Sequence, residues 1–124
     1  MMETTLYDGK GHPVAYIAYD GESSVYTWTG HAVAYIDDET VHGWNGQHIG
    51  WFIDGVIYDT HGRRVGSVRE RCPYATHAEP AKYAKYAKYA KYARYAAYAR
   101  PALSASYSDQ SFEDFLRAGA VGDI

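Results

Sequence analysis

A twelve-residue unit that occurs four times in the first half of the chain most strongly constrains the fold. The copies are "LYDGKGHPVAYI" (6–17), "VYTWTGHAVAYI" (25–36), "VHGWNGQHIGWF" (41–52) and "IYDTHGRRVGSV" (57–68). Each copy has a short apolar stretch, a turn that contains glycine, and a second apolar stretch, which is the pattern of a β-hairpin. The turn glycines share one column, where glycine supplies a positive φ without a steric penalty: Gly11, Gly30, Gly46 and Gly62.

The units favour an all-β head that closes on itself. Val, Ile, Tyr and Trp alternate with other residues as in strands, and a lone hairpin cannot bury its apolar face. Four hairpins can close radially, as blades around a pseudo-fourfold axis in a flower-like or propeller-like ring, or linearly as a short solenoid. The radial form protects strand edges better. A column of small residues, Ala15, Ala34, Gly50 and Gly66, indicates close backbone packing near the axis.

A triplet repeat, "AKYAKYAKYAKYARYAAYAR" (81–100), lies between Pro80 and Pro101. In an α-helix its lysines would spiral around the cylinder and leave no apolar face. With three residues per turn, lysines, tyrosines and alanines would each form a separate stripe. The alanine content favours a helix, whereas a period-three docking surface would favour an extended segment. Both conformations remain open at this point.

The end of the chain, "SYSDQSFEDFLRAG" (106–119), predicts one short amphipathic helix. Ser111 or Asp109 would cap it, and Gly119 would end it. The resulting division is a four-hairpin head (1–70) that folds alone, a linker (71–80), the triplet-repeat tail (81–101) and a C-terminal segment with the helix (102–124).

The "GxxVAYI" and "GxxVGxx" units resemble the bacterial four-fold beta-flower proteins. This resemblance implies a flower-shaped domain of four hairpins, often followed by a triplet-repeat tail. It implies no established activity.

Charge divides the chain into an acidic and a basic part. Residues 1–70 hold ten acidic and four basic side chains, a net of −6, and residues 71–124 hold five and eight, a net of +3. A head, either its own or that of a second copy, is therefore the expected partner of the tail. The N-terminus lacks the features of a signal peptide, and no apolar run reaches the length of a membrane span, so we expect a cytoplasmic protein.

No catalytic, metal or cofactor site is predicted. His12 and His31 share a column with Gln47 and Arg63, which does not suit a ring of metal ligands. Asp8 and Asp59 share a column at the start of the turns, where aspartate usually accepts backbone hydrogen bonds. Cys72, the single cysteine, does not lie in a sequence motif of a catalytic nucleophile. An enzyme is therefore not expected.

The sequence favours a non-enzymatic structural or interaction module that associates with other copies of itself through its tail. The alternative is binding of nucleic acid or an anionic surface, because lysines alternate with stacking aromatics. Trp28 and Trp44, in the turns, either form a contact surface or fold over the neighbouring blade. The candidate partner-binding residues are Lys82, Tyr83, Lys85, Tyr86, Lys88, Tyr89, Lys91, Tyr92, Arg94, Tyr95, Tyr98, Phe112 and Phe115.

Overall fold

A computed structural model describes residues 3–122, and in it eight antiparallel strands form a closed barrel. The order around the barrel follows the chain, and β1 and β8 meet through the pair Tyr7 and Ser67. The predicted all-β head is confirmed. The strands are β1 (Thr4–Tyr7), β2 (Pro13–Ala18), β3 (Ser24–Thr27), β4 (Ala32–Asp37), β5 (Thr40–Gly43), β6 (His48–Ile53), β7 (Val56–Asp59) and β8 (Arg64–Ser67). A 3₁₀ turn (Arg69–Arg71) follows the barrel, and helix α1 (Phe112–Arg117) lies near the end of the chain.

The hairpins β1–β2, β3–β4, β5–β6 and β7–β8 are four equivalent blades. Each has an irregularity in strand register at the same column of the repeat, after Leu6, Val25, Val41 and Ile57. The four turn glycines have φ between 84° and 100°. Their amides donate to the backbone oxygens of Asp8, Thr27, Gly43 and Asp59. The sequence repeat is thus a structural repeat, as the radial arrangement requires.

Helix α1 fills one end of the barrel. Its N-cap is Ser111, whose side chain accepts a hydrogen bond from the Asp114 amide at 3.0 Å. Phe112, Phe115 and Leu116 pack into the apolar interior that the inward faces of the strands form. Gly66 and Gly50 belong to the column of small residues, and a Cβ at either position would meet the ring of Phe112 or Phe115, respectively. The small column therefore makes room for the helix.

The packing of α1 in the barrel bears on two predictions, the role of its phenylalanines and the independent folding of the head. Phe112 and Phe115 are each 2 % exposed, so they are not partner-binding residues but part of the barrel core. Because α1 supplies core side chains, residues 1–70 alone would leave part of the barrel interior uncovered. We therefore no longer expect the head to fold independently of the C-terminal segment.

We predict that Phe115→Ala lowers the free energy of unfolding by about 3–5 kcal/mol, because it removes a buried ring and leaves a cavity. Glu113→Ala, on the exposed side of the same helix, should change it by less than about 0.5 kcal/mol. Denaturant unfolding of both variants measures the difference. Equal stability of the two variants would show that α1 is not part of the core.

Candidate functional site

The segment 75–104, which we call the strap, runs around the outside of the barrel in an extended conformation, with no helix or strand along its length. The conformation left open by the sequence is thus the extended one. The strap passes the turns of all four blades, and its backbone is hydrogen-bonded to each of them.

The strap contacts the blades in a nine-residue register. The amides of His77, Tyr86, Tyr95 and Ser104 donate to the backbone oxygens of Gly11, Gly30, Gly46 and Gly62, at 2.9, 2.9, 2.8 and 2.9 Å respectively. Successive donors lie nine residues apart, so three triplets pass from one blade to the next. The triplet repeat is therefore matched to the fourfold repeat of the barrel.

The turn glycines also lie against the strap. A Cβ at Gly11, Gly30, Gly46 or Gly62 would collide with the backbone oxygen of Ala75, Ala84, Ala93 or Ala102, respectively. Glycine is thus required at this column for two reasons, the positive φ of the turn and the close approach of the strap. The sequence predicted the first reason and not the second.

The two turn tryptophans bind the strap and pack on the preceding blade. The amides of Tyr83 and Tyr92 donate to the backbone oxygens of Trp28 and Trp44, both at 3.0 Å. Trp44 Nε1 donates to the Tyr89 oxygen at 2.6 Å, and its ring lies edge-on to Tyr35. Trp44 is only 2 % exposed and Trp28 is half-buried, so of the two alternatives that the sequence left open, the structure agrees with folding over the neighbouring blade.

The basic side chains of the strap point towards the barrel. Their partners are carboxylates just before β1, at the end of β4 and in the connections between blades. Lys88 Nζ lies 2.6 Å from Asp20 and 2.7 Å from Glu22, and Arg94 lies 2.6 Å from Asp37. The remaining pairs are Lys82 and Lys85 with Glu3, Lys91 with Glu22, and Arg100 with Glu39.

All of these cations except Arg100 also lie over aromatic rings on the outer face of the barrel. Lys82 Nζ is 4.4 Å from the ring centre of Tyr16, and Lys91 Nζ is 4.1 Å from that of Tyr35. Cation–π contacts of this kind are attractive at exposed and partly buried sites. The outer face of the barrel thus carries a row of aromatic rings flanked by carboxylates. The basic side chains of the strap pack on these rings and pair with the carboxylates.

The carboxylates that pair with Lys88 and Lys91 stay charged at neutral and mildly acidic pH. Hydrogen bonds from Lys88 and Lys91 hold the pKa of Glu22 below its usual value. Partial burial would raise the pKa of Asp20, but hydrogen bonds from Lys88 and from backbone amides outweigh it and lower that pKa. Protonation of these carboxylates therefore needs a lower pH than for free side chains.

The tyrosines of the triplets point outwards. Six of them, Tyr83, Tyr86, Tyr89, Tyr92, Tyr95 and Tyr98, are each between 51 % and 64 % exposed. We call this row the tyrosine stripe. Tyr86 also stacks on His31, with ring centres 4.5 Å apart, and His77 stacks on His12 in the equivalent place on the first blade.

The two aspartates that share a column of the repeat, Asp8 and Asp59, stabilise the hairpin turns. Asp8 Oδ1 accepts hydrogen bonds from the amides of Lys10 and His12, and Asp59 Oδ1 does so from those of His61 and Arg63. Within residues 3–122, no cluster of three or more His, Cys, Asp or Glu side chains could hold a metal ion.

The net charges predicted that the acidic head receives the basic tail, but not which carboxylates of the head do so. Those that pair with Lys88, Arg94 and Arg100 lie in the polar breaks between units, "YDGESS" (19–24) and "DDET" (37–40). Sequence reasoning also missed His42 and His48, buried side chains that contact the strap near Tyr95 and Tyr98. The concentration of acidic residues at the breaks was the one available signal.

Four hairpin blades, an encircling strap and a helix in the barrel end define a small all-β module. The model of the 4-fold beta flower protein family matches residues 4–116, and the chain belongs to this family. No curated protein and no solved structure matches the chain. Neither helix of the described part of the chain is long and apolar enough to cross a membrane.

We predict that deletion of one triplet, residues 87–89, breaks the nine-residue register between Gly30 and Gly46. The shortened strap loses roughly 9 Å of reach, so it cannot meet both turns. The free energy of unfolding of the protein should fall by about 2 kcal/mol or more, which is the contribution of a few backbone hydrogen bonds. Thermal and denaturant unfolding measure this loss.

Insertion of an extra Ala-Lys-Tyr after Tyr89 is the matched control, because it also shifts the length by three residues and keeps the triplet period. The excess can bulge outwards at small cost, so we expect a loss of less than about 1 kcal/mol. Lys88→Ala accounts for the ion pairs that the deletion removes. If deletion and insertion had equal effects, the strap would not be held in register.

Proposed function

We propose that the protein is a non-enzymatic interaction module that self-associates through the tyrosine stripe. The observation that carries this proposal is the division of the triplets, in which the cations point to the barrel and the tyrosines point to solvent. Family membership supports a small β module, and the step from module to self-association is our proposal.

The tyrosine stripe has the chemistry of a protein contact surface. Tyrosine combines a large apolar ring with a hydroxyl group and is enriched at protein interfaces. Docking of the strap uses few of these rings: Tyr86 stacks on His31, and the ring of Tyr98 lies 5.7 Å from that of His48. A row of exposed aromatic side chains at regular spacing is a surface for which binding is the natural explanation.

A second copy of the chain fits this surface. The outer side of the strap presents tyrosines and alanines, while its amines and guanidinium groups pair with barrel carboxylates. Two such surfaces can meet without repulsion between like charges. A self-complementary contact also places the same tyrosine spacing on both partners, as a twofold interface requires.

Nucleic-acid binding is the second candidate, and the exposed tyrosines favour it as stacking platforms. Affinity for nucleic acid also depends on cations that are free to replace phosphate counterions. Here Lys82, Lys88 and Arg94 already pair with carboxylates of the barrel. The alternative therefore requires the strap to exchange its ion pairs, and self-association does not.

We predict that the unmodified chain forms dimers or larger species in light-scattering measurements at high protein concentration. Replacement of Tyr83, Tyr86, Tyr89 and Tyr92 by serine should yield a monomer with unchanged strand content, because these side chains are exposed. Tyr19→Ser combined with Tyr74→Ser, exposed tyrosines outside the triplets, should leave the association intact.

Salt and single-stranded DNA separate the two candidates. Contacts based on buried tyrosine area tolerate moderate salt, whereas nucleic-acid binding weakens steeply as salt rises. A chain that is monomeric in every buffer and binds single-stranded DNA at low salt would overturn self-association and support the alternative.

A further inference from the structure

The strap has three arcs between its main contacts with the turns, residues 77–86, 86–95 and 95–104, and the third arc is held differently. In the second arc, Tyr92 N donates to the Trp44 oxygen and Trp44 Nε1 donates to the Tyr89 oxygen. Nine residues after Tyr92 stands Pro101, which has no amide hydrogen. The equivalent of Trp44 in the fourth blade is Thr60, which has no indole. The third arc can form neither contact.

The third arc also lacks one of the cations. Lys88, in the second arc, pairs with Asp20 and Glu22. Nine residues later the chain has Ala97, which carries no charge. Arg100 still pairs with Glu39, but both side chains are about half exposed, and such surface pairs contribute little to stability.

A buried histidine supplies the contact that remains. The Tyr98 amide donates to Nδ1 of His48 at 3.0 Å, and the His48 side chain packs edge-on against Trp51. His48 is 4 % exposed. Because Nδ1 accepts this hydrogen bond, the ring must be neutral, with its hydrogen on Nε2. Protonated His48 would carry a hydrogen on both nitrogens, and the Tyr98 amide would lose its acceptor.

The surroundings of His48 do not favour a charge. His42, on the neighbouring strand, lies with its ring centre 5.2 Å away and contacts the Tyr95 oxygen through Nε2. Arg94 and Tyr35 also face His42, and the nearby carboxylate of Asp37 pairs with Arg94. Burial lowers the pKa of His48, and burial together with the charge of Arg94 lowers that of His42.

We propose that the third arc is a proton-operated latch, in which protonation of His48 breaks the bond to the Tyr98 amide and releases residues 96–103 from the barrel. The first two arcs stay docked when His48 is protonated, because none of their hydrogen bonds is accepted by a histidine nitrogen. This inference concerns the strap and does not depend on what the tyrosine stripe binds.

The direction of the pH dependence follows from the neutral ring. The pKa of His48 in the docked state is below its ordinary value of 6.5. Docking of the third arc is therefore complete above about pH 6.5 and is lost as the pH falls through the lowered pKa. In the same range the carboxylates that hold Lys88 stay ionised, because the pKa values of Asp20 and Glu22 are also lowered.

Backbone ¹⁵N relaxation of the full chain, from pH 7.5 down to the pH at which the His48 ring is protonated, tests the latch. We expect order parameters of residues 96–103 to fall from about 0.85 to below about 0.6 at low pH, while those of residues 82–92 stay high. The fall should follow the titration of the His48 ring nitrogens, recorded in the same unsubstituted protein. Rigid residues 96–103 in the presence of protonated His48 would overturn the proposal.

His48→Asn isolates the acceptor, because the asparagine Oδ1 takes the place of Nδ1, can accept from the Tyr98 amide and does not titrate. We expect its third arc to remain ordered at a pH where His48 of the unsubstituted chain is protonated. His31→Asn, which replaces the histidine that stacks on Tyr86, is the matched control and should release the arc as the unsubstituted chain does. Release at low pH in a folded His48→Asn variant would contradict the role of His48, and the ring titration provides the test if that variant does not fold.

Discussion

The match between three triplets and one blade is the constraint on which the rest of the structure depends. Amides nine residues apart meet carbonyl groups that the barrel places at four equivalent turns. An extended chain has few internal hydrogen bonds, so it holds one path only where another surface satisfies its backbone groups. The turn glycines permit that approach, because a side chain there would collide with the strap.

Once the register is set, each residue type of the triplet has its own environment. The lysines contact aromatic rings and carboxylates of the barrel, and the tyrosines face solvent. Individual surface ion pairs contribute little, but here they recur along a segment that backbone hydrogen bonds already position. Thr60, Ala97 and Pro101 depart from the repeat at or beside the third arc. There a buried histidine replaces the regular contacts.

The hairpins and their turns could be predicted from the sequence because local pattern decides them. Alternation of apolar residues and one glycine per unit specify each blade, and Ser111 with its following phenylalanines specifies the helix. The strap could not be predicted in this way. Alanine and lysine prefer a helix, and that preference is overridden by hydrogen bonds to Gly30 and Gly46, which lie far away in the chain. Similarly, the helix pattern shows which face of α1 is apolar, but not that the barrel covers Phe112 and Phe115.

Residue-resolved hydrogen exchange in the strap tests this account most directly. We expect slow exchange at the amides of His77, Tyr86, Tyr95 and Ser104, with additional protection at the amides of Tyr83 and Tyr92. The intervening alanine and lysine amides should exchange quickly. Uniformly fast exchange over residues 81–100, or a continuous protected run as in an α-helix, would contradict the nine-residue register.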